Sequence, residues 1–213
     1  MAEGWVLLPL KALSEAKSSF REILTPEERK ELVLCMLEDM LRVLSYVRMR
    51  KVVISCDEEV LRFARSLGAE GLREPGLELN LALTLGMERA RREGAEEVLI
   101  LPADLPFLRV GDVEEIVGGG GERKVVISPS RTLGTNALLL RPPGVIPLRF
   151  GGRSFPLHVE ESLKAGIRPR IYRSPTVATD VDGVEDLLAA ETLGLGTRTR
   201  DFLLSLGRNR FVR

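Results

Sequence analysis

The chain has 213 residues, enough to bury a full hydrophobic core within one large domain. Its 31 Lys and Arg residues balance 31 Asp and Glu residues, so no global field draws it to nucleic acid or an anionic membrane, and any anion site must be a local arrangement. No apolar run approaches the roughly 20 residues needed to cross a bilayer, and no signal-type segment opens the chain; a cytoplasmic protein with a small-molecule partner is expected.

The two cysteines, Cys35 and Cys56, are too few for a disulfide framework and lack metal-ligand spacing, so both read as packing residues. Glutamine is absent, the only asparagines are Asn80, Asn136 and Asn209, and arginine outnumbers lysine beside abundant glutamate. That composition suits a heat-adapted source.

In chain order, "WVLLPL" reads as a strand and is followed by the polar loop "KALSEAKSSF". In "TPEERKELVLCMLEDMLRVLSYV", Leu32, Met36, Leu37, Met40, Leu41 and Leu44 recur at helical spacing. Thr25 is placed to cap that helix, Pro26 fits its first position, and Glu28 completes a capping box. The strand "KVVIS", a helix "DEEVLRFARSL" stopped by Gly68, a helix near "LNLALTLGMERARREG" stopped by Gly94, and the strand "EVLIL" come next.

Such alternation predicts parallel pairing with helices on both faces of the sheet. Beyond the flexible "GGGGERK", the strand "VVISP" leads to "NALLL" and "GVIPLRF". A helix "FPLHVEESLKAG", the segments "RPRIYRSP" and "VATDVD", and a last helix "VEDLLAAETLG" complete the pattern. The whole is expected to be a single domain, 1–213, whose basic and partly apolar stretch 197–213 reads first as a surface tail, with a docking helix or an exchange arm between subunits as the alternative; a homodimer stays open.

Ligands of open parallel sheets bind beyond the carboxyl ends of the strands. Asp104, wedged between Pro102 and Pro106 in "VLILPADLPFL", occupies such an end. It reads either as a turn residue or as a carboxylate whose partner comes from elsewhere. In "TDVDGVEDL", Asp180 and Asp182 project to one side of extended backbone, where two carboxylates repel unless a cation joins them. Mg2+ suits such oxygen ligands, whereas the local alternative makes Asp182 the cap of the last helix.

Lys11, Lys17 and Arg21 lie on the loop after the first strand, placed to hold a polyphosphate although the P-loop pattern is absent. Gly134 and Thr135 precede one strand, and Gly151, Gly152 and Ser154 precede a helix whose N–H groups favour a phosphate or carboxylate. His158, the only histidine, reads as a satisfied structural residue, and Asn80 as a helix cap or a nucleotide contact.

Taken in order, "LPLKALSEAKSSF", "LTPEER", "GLELNLAL", "LILPADLP", "GTNALLL", "FGGRSFPLH" and "ATDVDGVEDL" resemble the 2-phospho-L-lactate guanylyltransferase family of coenzyme F420 biosynthesis, which is related to phosphoenolpyruvate guanylyltransferase. The resemblance implies a Rossmann-like, glycosyltransferase-A-like α/β nucleotidyltransferase with a mainly parallel mixed sheet. It implies GTP as donor and a phosphorylated three-carbon acid as acceptor, with phosphoenolpyruvate or 3-phosphoglycerate as alternatives to 2-phospho-L-lactate.

By the same resemblance Asp104, Asp180 and Asp182 are Mg2+ ligands, with Asp104, Lys11 and Lys17 catalytic and both lysines on the donor phosphates. Thr135, Gly151 and Ser154, with Asn80 and Asn136, become substrate-binding residues. Two departures stand out. Leu133 replaces the first glycine of the family's "GGTNAL", and "KSSF" followed by Arg21 replaces "KSRL".

Overall fold

The computed structural model describes residues 4–15 and 17–207; residues 208–213 of the expected tail lie outside the described residues. The elements are β1 (Gly4–Pro9), α1 (Pro26–Ser45), β2 (Met49–Ser55), α2 (Glu58–Ser66), β3 (Glu70–Arg73), α3 (Leu79–Arg92), β4 (Glu97–Ile100) and α4 (Val110–Val117). They continue with β5 (Lys124–Pro129), β6 (Thr135–Arg141), α5 (Ser154–Lys164), β7 (Arg170–Ile171), α6 (Pro175–Ala178), α7 (Val184–Leu193) and α8 (Arg198–Ser205).

The capping box predicted for α1 is present. Thr25 Oγ1 accepts from the Glu28 N–H at 3.2 Å, and Glu28 Oε2 accepts from the Thr25 N–H at 2.9 Å. Gly68 and Gly94 follow α2 and α3 with φ of 80° and 82°, the left-handed conformation that ends a helix. The sequence reading had no strand at Glu70–Arg73: this run lacks the β-branched residues that mark strands, and it is ordered by pairing alongside Val52–Ser55 of β2.

One seven-stranded sheet runs β3-β2-β1-β4-β6-β5-β7. The β1–β2, β1–β4, β2–β3 and β5–β7 pairs are parallel, whereas β6 is antiparallel to both β4 and β5. The exception follows from loop length. Residues 130–134 are too short a connection for the crossover that parallel strands need, so β5 and β6 form a hairpin.

Strand alternation sends Val6, Leu8, Val53, Leu99, Val126 and Leu139 into one core with α1, α2 and α4. The alternate residues Trp5, Leu7, Val52, Ile54, Val98, Ile100, Leu138 and Leu140 enter a second core with α3, on the side where α5 contributes Phe155 and Val159. Helix α8 docks on α1 through the buried Asp39. Its carboxylate accepts from the Arg198 N–H at 2.8 Å and from the Thr199 N–H and hydroxyl at 2.8 and 2.7 Å.

The β5–β6 hairpin carries a bulge. Pro129 pairs with Thr135 but Ser128 pairs with Ala137, leaving Asn136 as an extra residue on β6. The bulge shifts the alternation by one residue, so Asn136 reaches α6 on the same face as Ala137, and Thr135 reaches α5 on the other. Ser130 Oγ braces the turn by accepting from the N–H groups of Thr132 at 3.2 Å and Gly134 at 2.8 Å.

Leu133, the residue standing where the family has glycine, sits at φ 67°. That conformation presses Cβ towards the following carbonyl and costs roughly 1–2 kcal/mol in an L residue. Because Leu133 is 39% exposed, little burial is lost by trimming it. Leu133→Gly is therefore expected to raise Tm by about 1–3 °C in a calorimetric scan, net of the greater backbone entropy of glycine in the unfolded chain. A lower Tm would show that its side-chain contacts outweigh the strain.

Candidate functional site

Asp104 follows β4, and its main-chain carbonyl accepts from the Val181 N–H at 3.1 Å, which draws the segment after α6 to the carboxyl end of the central strands. Asp180 and Asp182 flank that tie. Asp104 thus shares one end of the sheet with Asp180 and Asp182, which are distant from it in sequence.

Lys17 joins them. Its ammonium donates to Asp104 Oδ2 at 2.8 Å and to Asp182 Oδ1 at 2.7 Å, with its side chain only 8% exposed. Burial pulls the Lys17 pKa down, but the charges of Asp104 and Asp182 more than offset this and hold it above its ordinary value. Partial burial pushes the Asp182 carboxyl up, yet the neighbouring ammonium leaves it below the usual carboxylate range. Asp180 lies above that range, first through burial and then through the charge of Asp104.

Asn136 Nδ2 donates to the Val177 carbonyl at 2.9 Å and to Asp180 Oδ1 at 3.3 Å, so the bulge residue positions the second carboxylate. The start of α7 is held by Asp186 rather than Asp182: Asp186 Oδ2 accepts from the N–H groups of Asp182 and Gly183 at 3.0 and 2.8 Å. Asp182 is consequently free of the capping role that local sequence offered it.

Asp104 and Asp182 line a cavity of about 330 Å3 bounded by Leu10, Lys11, Glu15, Ser18, Val33, Met36, Leu79 and Phe150. Lys11 is exposed on this wall; Lys17 lies deeper, against the carboxylates. The sequence reading passed over Ser19, whose hydroxyl donates to the Asp182 carbonyl at 2.7 Å. Nothing in a lone serine of a polar loop distinguishes it before folding.

Asn80 is the second residue of α3, not its cap, and it clamps the main chain of Phe150. Its Nδ2 donates to the Phe150 carbonyl at 2.9 Å, and its Oδ1 accepts from the Phe150 N–H at 2.8 Å. Gly151 follows at φ 143°, a conformation open chiefly to glycine, and carries the chain from the cavity wall towards α5.

There Thr135, Ser154 and His158 form a second cluster, all buried. Thr135 Oγ1 is 2.9 Å from His158 Nδ1 and accepts from Ser154 Oγ at 3.0 Å, while His158 Nε2 accepts from the Arg149 N–H at 3.0 Å. Burial above all, with the Arg149 charge, pushes the His158 pKa down to about 4. The spacing of Ser154 and His158, four residues apart on one helix, was the available signal that they face the same neighbour.

Among the described residues, three do not use glycine where φ is positive: Lys17 at 51°, Leu133 at 67° and Arg153 at 48°. Each stands beside one of the two clusters. Such strain persists only where surrounding contacts enforce it, and it gathers at functional sites.

Among the described residues one carboxylate oxygen of this set lacks a partner, as a cation-binding oxygen would: Asp104 Oδ1 is buried with no hydrogen-bond partner, an arrangement costly for a carboxylate oxygen unless a ligand completes it. Hard carboxylate oxygens fit Mg2+, which commonly takes one or two of them and leaves its other positions to waters and phosphates. Among the described residues no three acidic side chains close around a single point as a preformed cage.

A model of the family described as "Guanylyl transferase CofC like" matches residues 4–210. The chain is 45% identical over 193 residues to a phosphoenolpyruvate guanylyltransferase of Rubrobacter xylanophilus, covering 89% of this chain and 94% of that protein. It is 36% identical over 203 residues to a 2-phospho-L-lactate guanylyltransferase of Methanocaldococcus jannaschii, covering 95% and 88%. In fold it is similar to a nucleotidyl transferase of Methanothermobacter, with TM-score 0.67 and 18% identity over 96% of this chain and 98% of that one. A structure from Desulfovibrio desulfuricans described as a nucleotide-diphospho-sugar transferase gives TM-score 0.81 at 18% identity, over 99% and 97%.

The Lys17 bridge has a pH signature. The depressed Asp182 carboxyl contributes stability above 3.8 that is lost as pH falls through its folded value; the raised Lys17 ammonium contributes stability below 10.5 that is lost as pH rises through its own. Lys17→Met is expected to lower Tm, with the deficit widest between those limits and shrinking outside them. A deficit independent of pH would show that Lys17 acts through packing instead of charge.

Proposed function

Because the chain belongs to the CofC-like guanylyl transferase family, we propose that it transfers GMP from GTP to a phosphorylated three-carbon acid in coenzyme F420 biosynthesis, with 2-phospho-L-lactate as acceptor. The observation that carries this reading is a cavity lined by Asp104 and Asp182 and walled by Lys11 and Lys17, with the Asp180 carboxylate near enough to feel the charge of Asp104. The 45% identical relative named for phosphoenolpyruvate supports a second reading, in which that acid is the acceptor.

In the reaction a phosphate oxygen of the acid attacks the α-phosphorus of GTP. The new P–O bond gives lactyl-2-diphospho-5'-guanosine, and the bond from the α-phosphorus to the bridging oxygen breaks to release pyrophosphate. A phosphate monoester has its second pKa near about 6, so the nucleophile is largely deprotonated at neutral pH and needs no general base. His158 is unsuited to that task in any case, since both its ring nitrogens are engaged.

The barrier is repulsion between anions. At 4 Å and an effective dielectric near 20, each unit-charge pair costs about 4 kcal/mol, so several unrelieved pairs would keep acceptor and donor apart. Lys11 faces the cavity and can pair with the donor's terminal phosphates. The ammonium of Lys17 has three donors, two of which serve Asp104 and Asp182, leaving one for a phosphate oxygen.

One or two of Asp104, Asp180 and Asp182 would hold each Mg2+, with waters and phosphates in its other positions. Bound there, the metal would supply charge neutralisation and alignment of the phosphates. Thr135, Ser154 and the main chain at Gly151 would hold the acceptor, whose negative charge also suits the amino end of α5.

Incubation with GTP and the three acids in competition, read by mass spectrometry, is expected to yield pyrophosphate and a guanosine diphosphate ester of 2-phospho-L-lactate. Exclusive guanylylation of phosphoenolpyruvate would select the second reading. Binding of GTP with no pyrophosphate from any acid would make the chain a nucleotide-sensing domain.

Asp104→Asn is expected to fold with a lowered Tm, since Lys17 loses one of its two charge partners, and to lose at least about 100-fold in kcat. Removal of divalent ions with a chelator should abolish turnover in the unmodified protein, and added Mg2+ should restore it. Near-normal transfer by the variant would refute the role given to Asp104.

A further inference from the structure

Three facts about one imidazole determine where its proton sits. A main-chain N–H is always a donor, so the Arg149 N–H at 3.0 Å makes His158 Nε2 an acceptor and leaves it unprotonated. In the neutral ring the remaining hydrogen is then on Nδ1, which must donate to Thr135 Oγ1 at 2.9 Å. Ser154 Oγ donates to the same oxygen at 3.0 Å.

Nδ1–H, the Thr135 hydroxyl and the Ser154 hydroxyl supply three hydrogens, and the two bonds within the trio use two of them. With Ser154 and His158 both donating to Thr135, its two lone pairs are engaged and its own O–H is left over. The opposite tautomer would set Nε2–H against the Arg149 N–H and would consume the Thr135 hydrogen in a bond to Nδ1.

We propose that His158 is a positioning residue for the phosphorylated acid: by donating to Thr135, it keeps the Thr135–Ser154 pair one hydrogen in excess, as a donor for the anionic group of the acceptor. The inference rests on the guanylyl-transfer reading and extends it to a residue that touches neither substrate. Its surroundings hold the ring in place. The Phe150 ring meets it edge-on at 4.9 Å between centroids, and the charged groups beside it, Arg149 and Glu161, pair with each other at 3.0 Å. Phe150 is itself fixed by Asn80 and borders the cavity, which links the cluster to the place where the reactants meet.

Because His158 is the only histidine, [15N]histidine labelling of the whole protein gives a single imidazole to observe. The expected spectrum shows Nδ1 protonated and Nε2 bare, unchanged from neutral pH down to about pH 5. An Nε2–H tautomer, or an imidazolium at neutral pH, would overturn the inference, and this measurement needs no variant to fold.

In kinetics, His158→Leu is expected to raise KM for the acid by roughly tenfold or more, the size of one hydrogen bond to a charged group, with KM for GTP little changed. His158→Asn, whose Nδ2 can donate to Thr135, should recover most of that loss. An unaltered KM for the acid in His158→Leu, with only Tm reduced, would overturn the positioning role. Failure of the unmodified protein to release pyrophosphate from GTP would instead sink the guanylyl-transfer reading on which the inference stands.

Discussion

The carboxyl end of the sheet is organised by one buried ammonium. Lys17 meets Asp104 and Asp182 across 87 and 165 residues of sequence, joining the loop after β1, the end of β4 and the segment after α6. Bringing a lysine out of water is costly, and only two close carboxylates make it tolerable. The same carboxylates would repel without it. Charge compensation therefore fixes the floor of the cavity, and the left-handed backbone at Lys17 follows from the need to place its side chain there.

A second constraint is the bulge at Asn136. In a regular strand Asn136 would face away from Ala137, whereas the extra residue shifts the alternation, turning Asn136 to the acidic side and Thr135 to the side of α5. Asn136 holds Asp180 on one face, and Thr135 joins His158 and Ser154 on the other. The acidic floor and the hydroxyl pair are thereby coupled through consecutive residues of β6. Leu133 accepts the strain of the tight turn that precedes them, and its carbonyl receives the Phe155 N–H at 3.0 Å, which seats α5 against the hairpin.

Much of the fold was legible from periodicity and caps. The α1 helix announced itself through Thr25, Pro26, Glu28 and a leucine and methionine stripe, and the strands around Leu7, Val53 and Leu99 through their apolar runs. Less legible were β3, whose residues have weak strand preference, and the antiparallel setting of β6, which depends on how short its connection to β5 is. Local preference is decisive where a segment buries a face of its own; these two are ordered by their neighbours.

Residue type and order in the chain determined that this protein carries a helix-covered, mainly parallel sheet, that Asp104 stands at a strand end, and that Asp180 and Asp182 project together. Only the tertiary structure decided that Lys17 would sit among the aspartates, that Asp186 rather than Asp182 would cap α7, that Asn80 would clamp Phe150, and that His158 would bind through both nitrogens. The reason is physical: periodicity and capping act over a few residues, while the partner of a buried charge or hydrogen-bonding group is chosen by whichever distant segment the packed sheet brings within reach.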